Sequence, residues 1–381
     1  MTLAFIYDAP LRPENGGTER ATKLVMDELK RRGHICFGIL HHDQQKPTEH
    51  FLNEQMVPSL YNFLHENNVD VVVNQIAFHP RFLRQFLAEG GQRWKDEGGK
   101  IISFMHLDPT PAPKQKLKKY FADWSKKSFF GKLKRLFFVA TLPYFRYKED
   151  KEYKVGLRYL YNHSDRYVLM SRSFTDIFVA LTGIEETSKM EYITNMLTYP
   201  EIANETIVEN KEKIVLVVAR LDDEQKNHSF IINTWKSIAD HNDYELHILG
   251  EGQDLEMLKS MAIDTPDIIF EGSQSPLEWY KKASIFLMAS PREGWGLTLT
   301  ESLQNGVVPV VLNTSSVFRD IIIDGENGFL AQNAQEYASR ISLLLSDNDK
   351  RSKMAINGLK SACRFSPQKV GDLWEKMLNT L

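Results

Sequence analysis

The sequence has little of several features that would assign it to a special class of protein. Two cysteines in 381 residues indicate a reducing cytosol rather than an oxidising, disulfide-rich setting. A net charge of −3 gives no reason to expect nucleic acid as a partner. The longest apolar run, Leu136 to Phe145, is far shorter than the ~18 residues that span a bilayer. No secretory signal precedes the first strand, so a membrane-spanning or exported chain is not expected.

What the sequence does have is a regular alternation of strand-like runs and helical stretches, typical of parallel sheets built from βαβ units. The predicted strands are Leu3–Asp8, Ile35–Leu40, Val69–Asn74, Lys100–His106, Arg166–Met170, Glu191–Asn195, Lys213–Arg220, Tyr244–Gly250, Ile268–Gly272, Ser284–Ser290, Val307–Asn313 and Gly328–Gln332. The polar stretch at 204–211 predicts an exposed linker between two domains. Ligands of such sheets bind outside the carboxyl ends of the strands, so a cleft between the domains is the expected site.

One loop after a predicted strand, PREGWGLTLTESLQNG at 291–306, combines glycines with two carboxylates. Gly294 and Gly296 allow a ligand to approach the start of a short helix, whose free N–H groups favour an anion, and Gly306 ends that helix. Carboxylates such as Glu293 and Glu301 accept hydrogen bonds from hydroxyls. The pattern indicates a nucleotide diphosphate with ribose on one side and a sugar on the other; the alternative is two solvated glutamates on a surface helix.

Further motifs stand in a fixed order around this loop. They are Asn15-Gly16-Gly17-Thr18-Glu19-Arg20, Arg32-Gly33-His34, Val217-Val218-Ala219-Arg220-Leu221, Lys226-Asn227, Ile248-Leu249-Gly250-Glu251-Gly252, Phe270-Glu271-Gly272, Gly306–Val311 and Asp324–Leu330. Together with the loop they resemble the retaining glycosyltransferases of family 4, which have the GT-B fold. The resemblance covers nearly the whole chain except residues 110–160, and Ser302 stands where the family usually has alanine.

The resemblance implies an α/β architecture of two Rossmann-like domains facing each other across a cleft. Residues 1–200 would form the acceptor-side domain, with a basic and aromatic insertion at about 110–160. Residues 201–365 would form the nucleotide-sugar donor domain, and 366–381 a helix that crosses back to the first domain. A helix from Thr18 to Arg32, ended by Gly33, follows the first strand.

The resemblance also implies roles for individual residues. Glu293 would contact the hydroxyls of the donor sugar, Glu301 the ribose, and Arg220 and Lys226 the diphosphate, where they stabilise the leaving group. The catalytic residues would thus be His106, Arg220, Lys226 and Glu293. The donor-binding residues would be Gly16, Gly17, Gly250, Gly272, Gly294, Gly296, Leu297, Thr298 and Glu301.

Each of these positions also has a plainer interpretation. Arg220 and Lys226 stand beside the acids Asp222, Asp223 and Glu224 and could form a solvated ion-pair cluster. Gly16-Gly17 could be a simple turn between a strand and a helix, and His106 a structural residue at a strand end. The family places a histidine near the reacting face of the sugar, which favours the functional role for His106.

The sequence and this resemblance together predict a hexosyltransferase that uses a UDP- or GDP-hexose and retains the anomeric configuration. The predicted enzyme needs neither cofactor nor metal. The family's favoured mechanism is a front-face substitution in which the leaving phosphate helps to deprotonate the acceptor. The histidines have no spacing typical of a metal site. Two alternatives stay open: an epimerase of nucleotide sugars on the same fold, and an inert partner subunit that binds nucleotide sugar.

The segment from Lys114 to Lys148 lies outside the family pattern and holds eleven Lys and Arg residues against the single acid Asp123, interleaved with aromatic residues. Such a composition is typical of an element at the surface of an anionic membrane. The alternative is an inserted helical pair that packs on the first domain. Membrane docking would make the protein peripheral on the inner face of a membrane. The expected acceptor is a carbohydrate or a lipid-linked molecule, and membrane docking would favour the lipid-linked one.

Overall fold

A computed structural model describes residues 1–12, 16–42, 49–111 and 128–381. The first sheet comprises β1 (Thr2–Tyr7), β2 (Ile35–His42), β3 (Glu49–Leu52), β4 (Gln55–Met56), β5 (Val71–Asn74), β6 (Lys100–Met105), β7 (Arg166–Leu169) and β8 (Met190–Tyr192). Its strand order is β4-β3-β2-β1-β5-β6-β7-β8. All neighbours pair in parallel except the antiparallel β2–β3 and β3–β4 pairs.

The second sheet comprises β9 (Ile214–Val218), β10 (Glu245–Leu249), β11 (Ile268–Gly272), β12 (Ile285–Met288), β13 (Val308–Leu312) and β14 (Phe329–Ala331). Its order, β11-β10-β9-β12-β13-β14, is that of a doubly wound nucleotide-binding sheet, and all its pairs are parallel. The strand order reverses between β9 and β12, and in the first sheet between β1 and β5. Loops after these strands therefore form the crevices where ligands bind.

Helices connect the strands. They are α1 (Gly17–Arg31), α2 (Leu60–Glu66), α3 (Arg81–Phe86), α4 (Gln92–Asp96), α5 (Phe129–His163), α6 (Thr175–Thr182), α7 (Asp223–Lys226), α8 (His228–Ser237), α9 (Leu255–Ala262), α10 (Pro276–Lys282), α11 (Leu297–Gln304), α12 (Phe318–Ile321), α13 (Ala334–Ser346), α14 (Asn348–Ala362) and α15 (Pro367–Leu378). The two Rossmann-like domains predicted from the sequence are confirmed, and the twelve predicted strands are present with ends shifted by a few residues.

Two features differ from the sequence-based expectation. The hairpin of β3 and β4 was not predicted; its two-residue turn consists of Asn53 and Glu54, both with positive φ. The stretch at 204–211, predicted as an exposed linker, forms a short 3-10 helix that was not predicted, Glu205–Asn210, and none of the residues of this helix is buried. The ammonium of Lys211 also donates to the carbonyls of Tyr280 and Asn305, at 2.6 and 2.7 Å. These bonds anchor the end of the connection to the second domain.

The last helix, α15, packs on the first domain rather than on the second. Trp374 is fully buried, and its ring stacks on Phe104 of β6 at 5.7 Å between centroids. At the surface, Arg32 pairs with Asp372 at 2.8 Å. An apolar cluster runs without interruption from β1 through Trp374 to the inner face of the second domain. The two domains and the last helix thus share this cluster, while a separate apolar cluster lies within the second domain.

We expect Trp374→Ala to lower the free energy of unfolding by about 4 kcal/mol, because it leaves a cavity between α15 and β6. The neighbouring Leu373 is 41% exposed, and Leu373→Ala should cost about 0.5 kcal/mol or less. Urea unfolding followed by circular dichroism measures both. Equal losses for the two variants would mean that α15 does not complete the first domain.

Candidate active site

The loop after β12 approaches the first domain closely at Gly294. A β-carbon on Gly294 would lie 2.1 Å from the backbone oxygen of His106, which follows β6. Only glycine allows this approach, because any side chain would overlap the carbonyl. Beside it, the guanidinium of Arg292 donates to the backbone carbonyl of Asp108. These contacts bring the ends of β6 and β12, from different domains, to the same point in the cleft.

Helix α11 begins in this cleft. Gly296 precedes it with φ 93°, a left-handed conformation that favours glycine. The first intrahelical bonds are those of Leu299 and Thr300 to the Gly296 carbonyl, so the N–H groups of Leu297 and Thr298 lie ahead of the helical ladder. On the other side of the cleft, a β-carbon on Gly17 would lie 3.5 Å from Leu297. The helix start predicted to face an anion thus lies between the two domains.

Lys226 and Glu293 form a close ion pair. The Lys226 ammonium lies 2.6 Å from Glu293 Oε1, and the two side chains are 24% and 13% exposed. The neighbouring acids are engaged elsewhere: Asp222 accepts from the N–H of Gln225, and Asp223 from the N–H of Ser229. Lys226 therefore pairs across 67 positions of sequence rather than within a local ion-pair cluster.

Arg220 follows β9 and is exposed; its guanidinium donates to Gln225 Oε1 at 3.1 Å. The glycines predicted nearby lie at the ends of the next two strands. Gly250 has φ 140°, and a β-carbon there would lie 2.0 Å from the Ala219 carbonyl, so it allows β10 to approach β9 closely. Gly272 accepts a hydrogen bond from the Gly250 N–H at 2.8 Å.

Glu301 is fully buried in α11 and is bound from both domains. Its Oε1 lies 2.8 Å from the guanidinium of Arg20, in the first turn of α1 next to Gly16 and Gly17. Its Oε2 accepts from the hydroxyl of Tyr280 at 3.1 Å. Burial, and then the charge of Glu301, raise the pKa of Tyr280 well above its usual value. Arg20 was quoted in the sequence motif without a role, since no sequence signal pairs it with Glu301.

His106 is held in one orientation by two neighbours. Its Nε2 contacts Gln75 Oε1, after β5, and its ring stacks on Phe104 at 4.4 Å. Burial lowers the pKa of His106 to about 3, so the imidazole is neutral at physiological pH. With Nε2–H donating to Gln75, the buried Nδ1 keeps its lone pair, and it has no partner among the described residues. The neutral His106 can therefore accept a hydrogen bond from a hydroxyl through Nδ1.

The described part of the chain places no group of three or more His, Cys, Asp or Glu side chains where it could hold a metal ion. Two pairs of one cation and one carboxylate, Lys226–Glu293 and Arg20–Glu301, lie at the cleft. The structure brings His106, Lys226, Glu293, Gly294 and the start of α11 together at the meeting of the domains. Asn15, at the start of the glycine motif, lies outside the described residues.

This arrangement of two Rossmann-like domains facing each other is the GT-B fold of glycosyltransferases. Residues 199–361 match the family model of glycosyl transferases group 1. The structure of Anabaena Alr3699/HepE in complex with UDP and glucose superposes over 100% of both chains, with a TM-score of 0.69 and 13% identity. The fold class predicted from the sequence is therefore confirmed, and residues 199–361, somewhat less than half of the chain, are similar to group 1 glycosyl transferases.

Two curated relatives match parts of the chain. An uncharacterized glycosyltransferase of Haemophilus influenzae is 26% identical over 53% of this chain and 61% of its own length. The poly(glycerol-phosphate) alpha-glucosyltransferase of Bacillus subtilis is 23% identical over 62% of this chain and 36% of its own length. The chain thus spans about a third to three fifths of these relatives.

We expect Arg20→Ala to lower the free energy of unfolding by about 3 kcal/mol, because it leaves the buried Glu301 carboxylate without its cationic partner. Lys23→Ala is the matched control: Lys23 lies on the same helix in an exposed pair with Asp27, so about 0.5 kcal/mol is expected. Denaturant unfolding measures both.

The double variant Arg20→Ala with Glu301→Gln should recover part of the loss, since no charge is then buried alone. Equal stability of Arg20→Ala and Lys23→Ala would contradict the importance of this pair.

Proposed function

We propose that this chain is a retaining glycosyltransferase of family 4 that moves a hexosyl group from UDP- or GDP-hexose to an acceptor hydroxyl in polysaccharide or glycolipid assembly. The observation that carries the proposal is the Lys226–Glu293 pair, which lies beside Gly294 and the start of α11. A cation for phosphate, a carboxylate for sugar hydroxyls and free helical N–H groups together match the parts of a nucleotide diphosphate sugar. The B. subtilis relative, which glucosylates a poly(glycerol-phosphate) by its name, supports a polymer acceptor.

When the donor binds, Lys226 and Glu293 give up their contact with each other and each contacts a part of the donor. The diphosphate takes the Lys226 ammonium and the N–H groups of Leu297 and Thr298, and Arg220 reaches the same anion from the end of β9. Glu293, released from Lys226, accepts from the sugar hydroxyls. Before the donor binds, Lys226 and Glu293 thus neutralise each other's charge. The diphosphate then replaces Glu293 as the partner of Lys226, and the sugar hydroxyls replace Lys226 as the partner of Glu293.

The ribose requires a larger change. Glu301 is fully buried and bound to Arg20, so a ribose reaches this carboxylate only when the two domains separate enough to part the two side chains. We therefore assign donor entry to an open form of the cleft. When the cleft closes again, Arg20 moves back towards α11, and its positive charge then faces the bound nucleotide.

In the reaction, the bond between the anomeric carbon and the diphosphate oxygen breaks, and the acceptor oxygen forms a new bond on the same face of the sugar. The acceptor proton passes to an oxygen of the leaving diphosphate. Arg220 and Lys226 stabilise the negative charge that develops there. His106 is neutral, so its Nδ1 orients the sugar by accepting from a hydroxyl rather than by transferring a proton.

The compartment proposed for this chemistry is the cytoplasm. Cys36 is buried and Cys363 is exposed, and both are free thiols. An exposed free thiol is typical of a reducing compartment. Among the described residues, no helix is long and apolar enough to cross a membrane.

We expect Arg220→Ala and Lys226→Ala each to lower turnover of the hexosyl donor about 100-fold or more, because each removes a cation from the leaving diphosphate. Lys213→Ala is the control: Lys213 is an exposed lysine just before β9 and should retain wild-type turnover. Release of UDP or GDP from a panel of nucleotide hexoses, with and without acceptor, measures the rates and identifies the donor. Wild-type rates in both site variants would refute the assignment.

Inversion at C2 of the donor in the absence of acceptor would indicate an epimerase instead. Donor binding with neither hydrolysis nor transfer to any acceptor would indicate an inert subunit.

Turnover should continue in excess EDTA, because the proposal gives Arg220 and Lys226 the role that a divalent cation has in metal-dependent transferases. The same assay is run with EDTA and after readdition of magnesium or manganese. Activity that disappears with the chelator and returns with either cation would contradict the metal-independent mechanism.

A further inference from the structure

The first half of helix α5 presents large apolar side chains to solvent. Phe137, Tyr144 and Tyr147 are 72%, 66% and 66% exposed, and Leu133, Leu136 and Phe145 are also exposed. Isolated apolar residues on a surface are ordinary, but a cluster of this size usually marks an interaction site. The glycosyl transfer proposed above gives this cluster no role. The other half of the basic segment, residues 114–127, lies outside the described residues.

Helical geometry puts several of these side chains on one face. At 100° per residue, Leu133, Phe137 and Tyr144 fall within about 40° of one another around the axis. Leu142 is nine residues, or two and a half turns, from Leu133, so it lies on the opposite face, and it is buried. The helix therefore packs through one side and offers an apolar face on the other. We call the exposed face, formed by Leu133, Leu136, Phe137, Tyr144 and Tyr147, the outer face.

The charges of this half of α5 have a single sign. Residues 129–148 include Lys132, Lys134, Arg135, Arg146 and Lys148 and no acid. Lys134 is exposed, and by helical geometry it lies about 60° from Phe137. Acids begin only at Glu149. The outer face thus combines apolar and aromatic groups with a positive border.

The second half of α5 fixes the helix to the first domain close to the cleft. Leu157 and Leu160 are fully buried, and the Tyr153 hydroxyl donates to the Pro109 carbonyl at 3.0 Å. Pro109 follows Asp108, whose own carbonyl is bound by Arg292 from the second domain. The outer face therefore belongs to an extension of the domain that carries His106. From Leu133 to Tyr147 this extension is about 21 Å long at 1.5 Å per residue.

We infer that the outer face docks on an anionic lipid surface, with the first half of α5 lying in the headgroup region. Aromatic rings favour that boundary, and each Lys or Arg near an anionic leaflet strengthens binding roughly fivefold. A symmetric interface with a second copy is disfavoured, because the same positive border would then face itself. Interfaces with other proteins are depleted in lysine, whereas three of the five cations here are lysines.

The test is cosedimentation of the full chain with vesicles rich in phosphatidylglycerol, compared with phosphatidylcholine vesicles. Binding should occur to the anionic vesicles and fall at least about tenfold between ~0.05 M and ~0.5 M NaCl. The triple variant Leu133→Ser, Phe137→Ser, Tyr144→Ser should lose about tenfold or more in affinity, since it removes the apolar groups. Lys134→Glu with Lys148→Glu should weaken binding to anionic vesicles only.

The matched control replaces three exposed apolar residues elsewhere: Met257→Ser, Ile263→Ser and Leu373→Ser. It should bind vesicles like the unmodified chain, and all variants should keep the same thermal midpoint and donor turnover. Absence of binding to anionic vesicles, or unchanged binding by the outer-face variant, overturns the inference. Equal binding to both lipids overturns the role of charge. A dimer in light scattering that only the outer-face variant abolishes would make this face an interface between copies.

Donor turnover is measured in the absence of vesicles, so failure of the docking inference and failure of the proposed transferase activity are distinguished by these separate readouts.

Discussion

The burial of the Glu301 carboxylate constrains the whole arrangement of the two domains. A carboxylate removed from water is stable only with a cation and hydrogen-bond donors close by. The second domain supplies the Tyr280 hydroxyl, but the cation is Arg20 of the first domain. The charge of Glu301 is therefore compensated only when the domains are together. The same carboxylate lies in the helix whose start faces the cleft, so closure and the ligand-binding helix are coupled through one side chain.

Close backbone packing complements this ion pair. At Gly294 the loop after β12 rests on the carbonyl of His106, and at Gly17 the start of α1 approaches Leu297. The contact at Gly294 needs the absence of a side chain, whereas a β-carbon at Gly17 would only touch Leu297, so Gly294 serves the fit between the domains as well as access for a ligand. The glycines of such a loop are needed both for ligand access and for close packing of the domains. Only the need for ligand access could be inferred from the sequence.

The fold could be predicted because its strands are short apolar runs at regular intervals, and parallel sheets bury both faces of each strand. The β3–β4 hairpin was missed because Asn53-Glu54 lacks the glycine that usually marks a two-residue turn. The positions of Glu293 and Lys226 could be anticipated, but not their pairing. Arg20 and Gln75 could not be anticipated as partners of Glu301 and His106, since contacts between distant segments leave no local pattern.

The stack formed by Trp374, Phe104 and His106 has a consequence for how the chain folds during synthesis. Phe104 and His106 are made early, together with most of the first sheet, but the ring that covers Phe104 comes from position 374. The first domain therefore leaves the ribosome with an apolar surface still open at β6, the strand that precedes His106. Its interior is completed only after the entire second domain has been translated, so the earliest domain to emerge is the last to be finished.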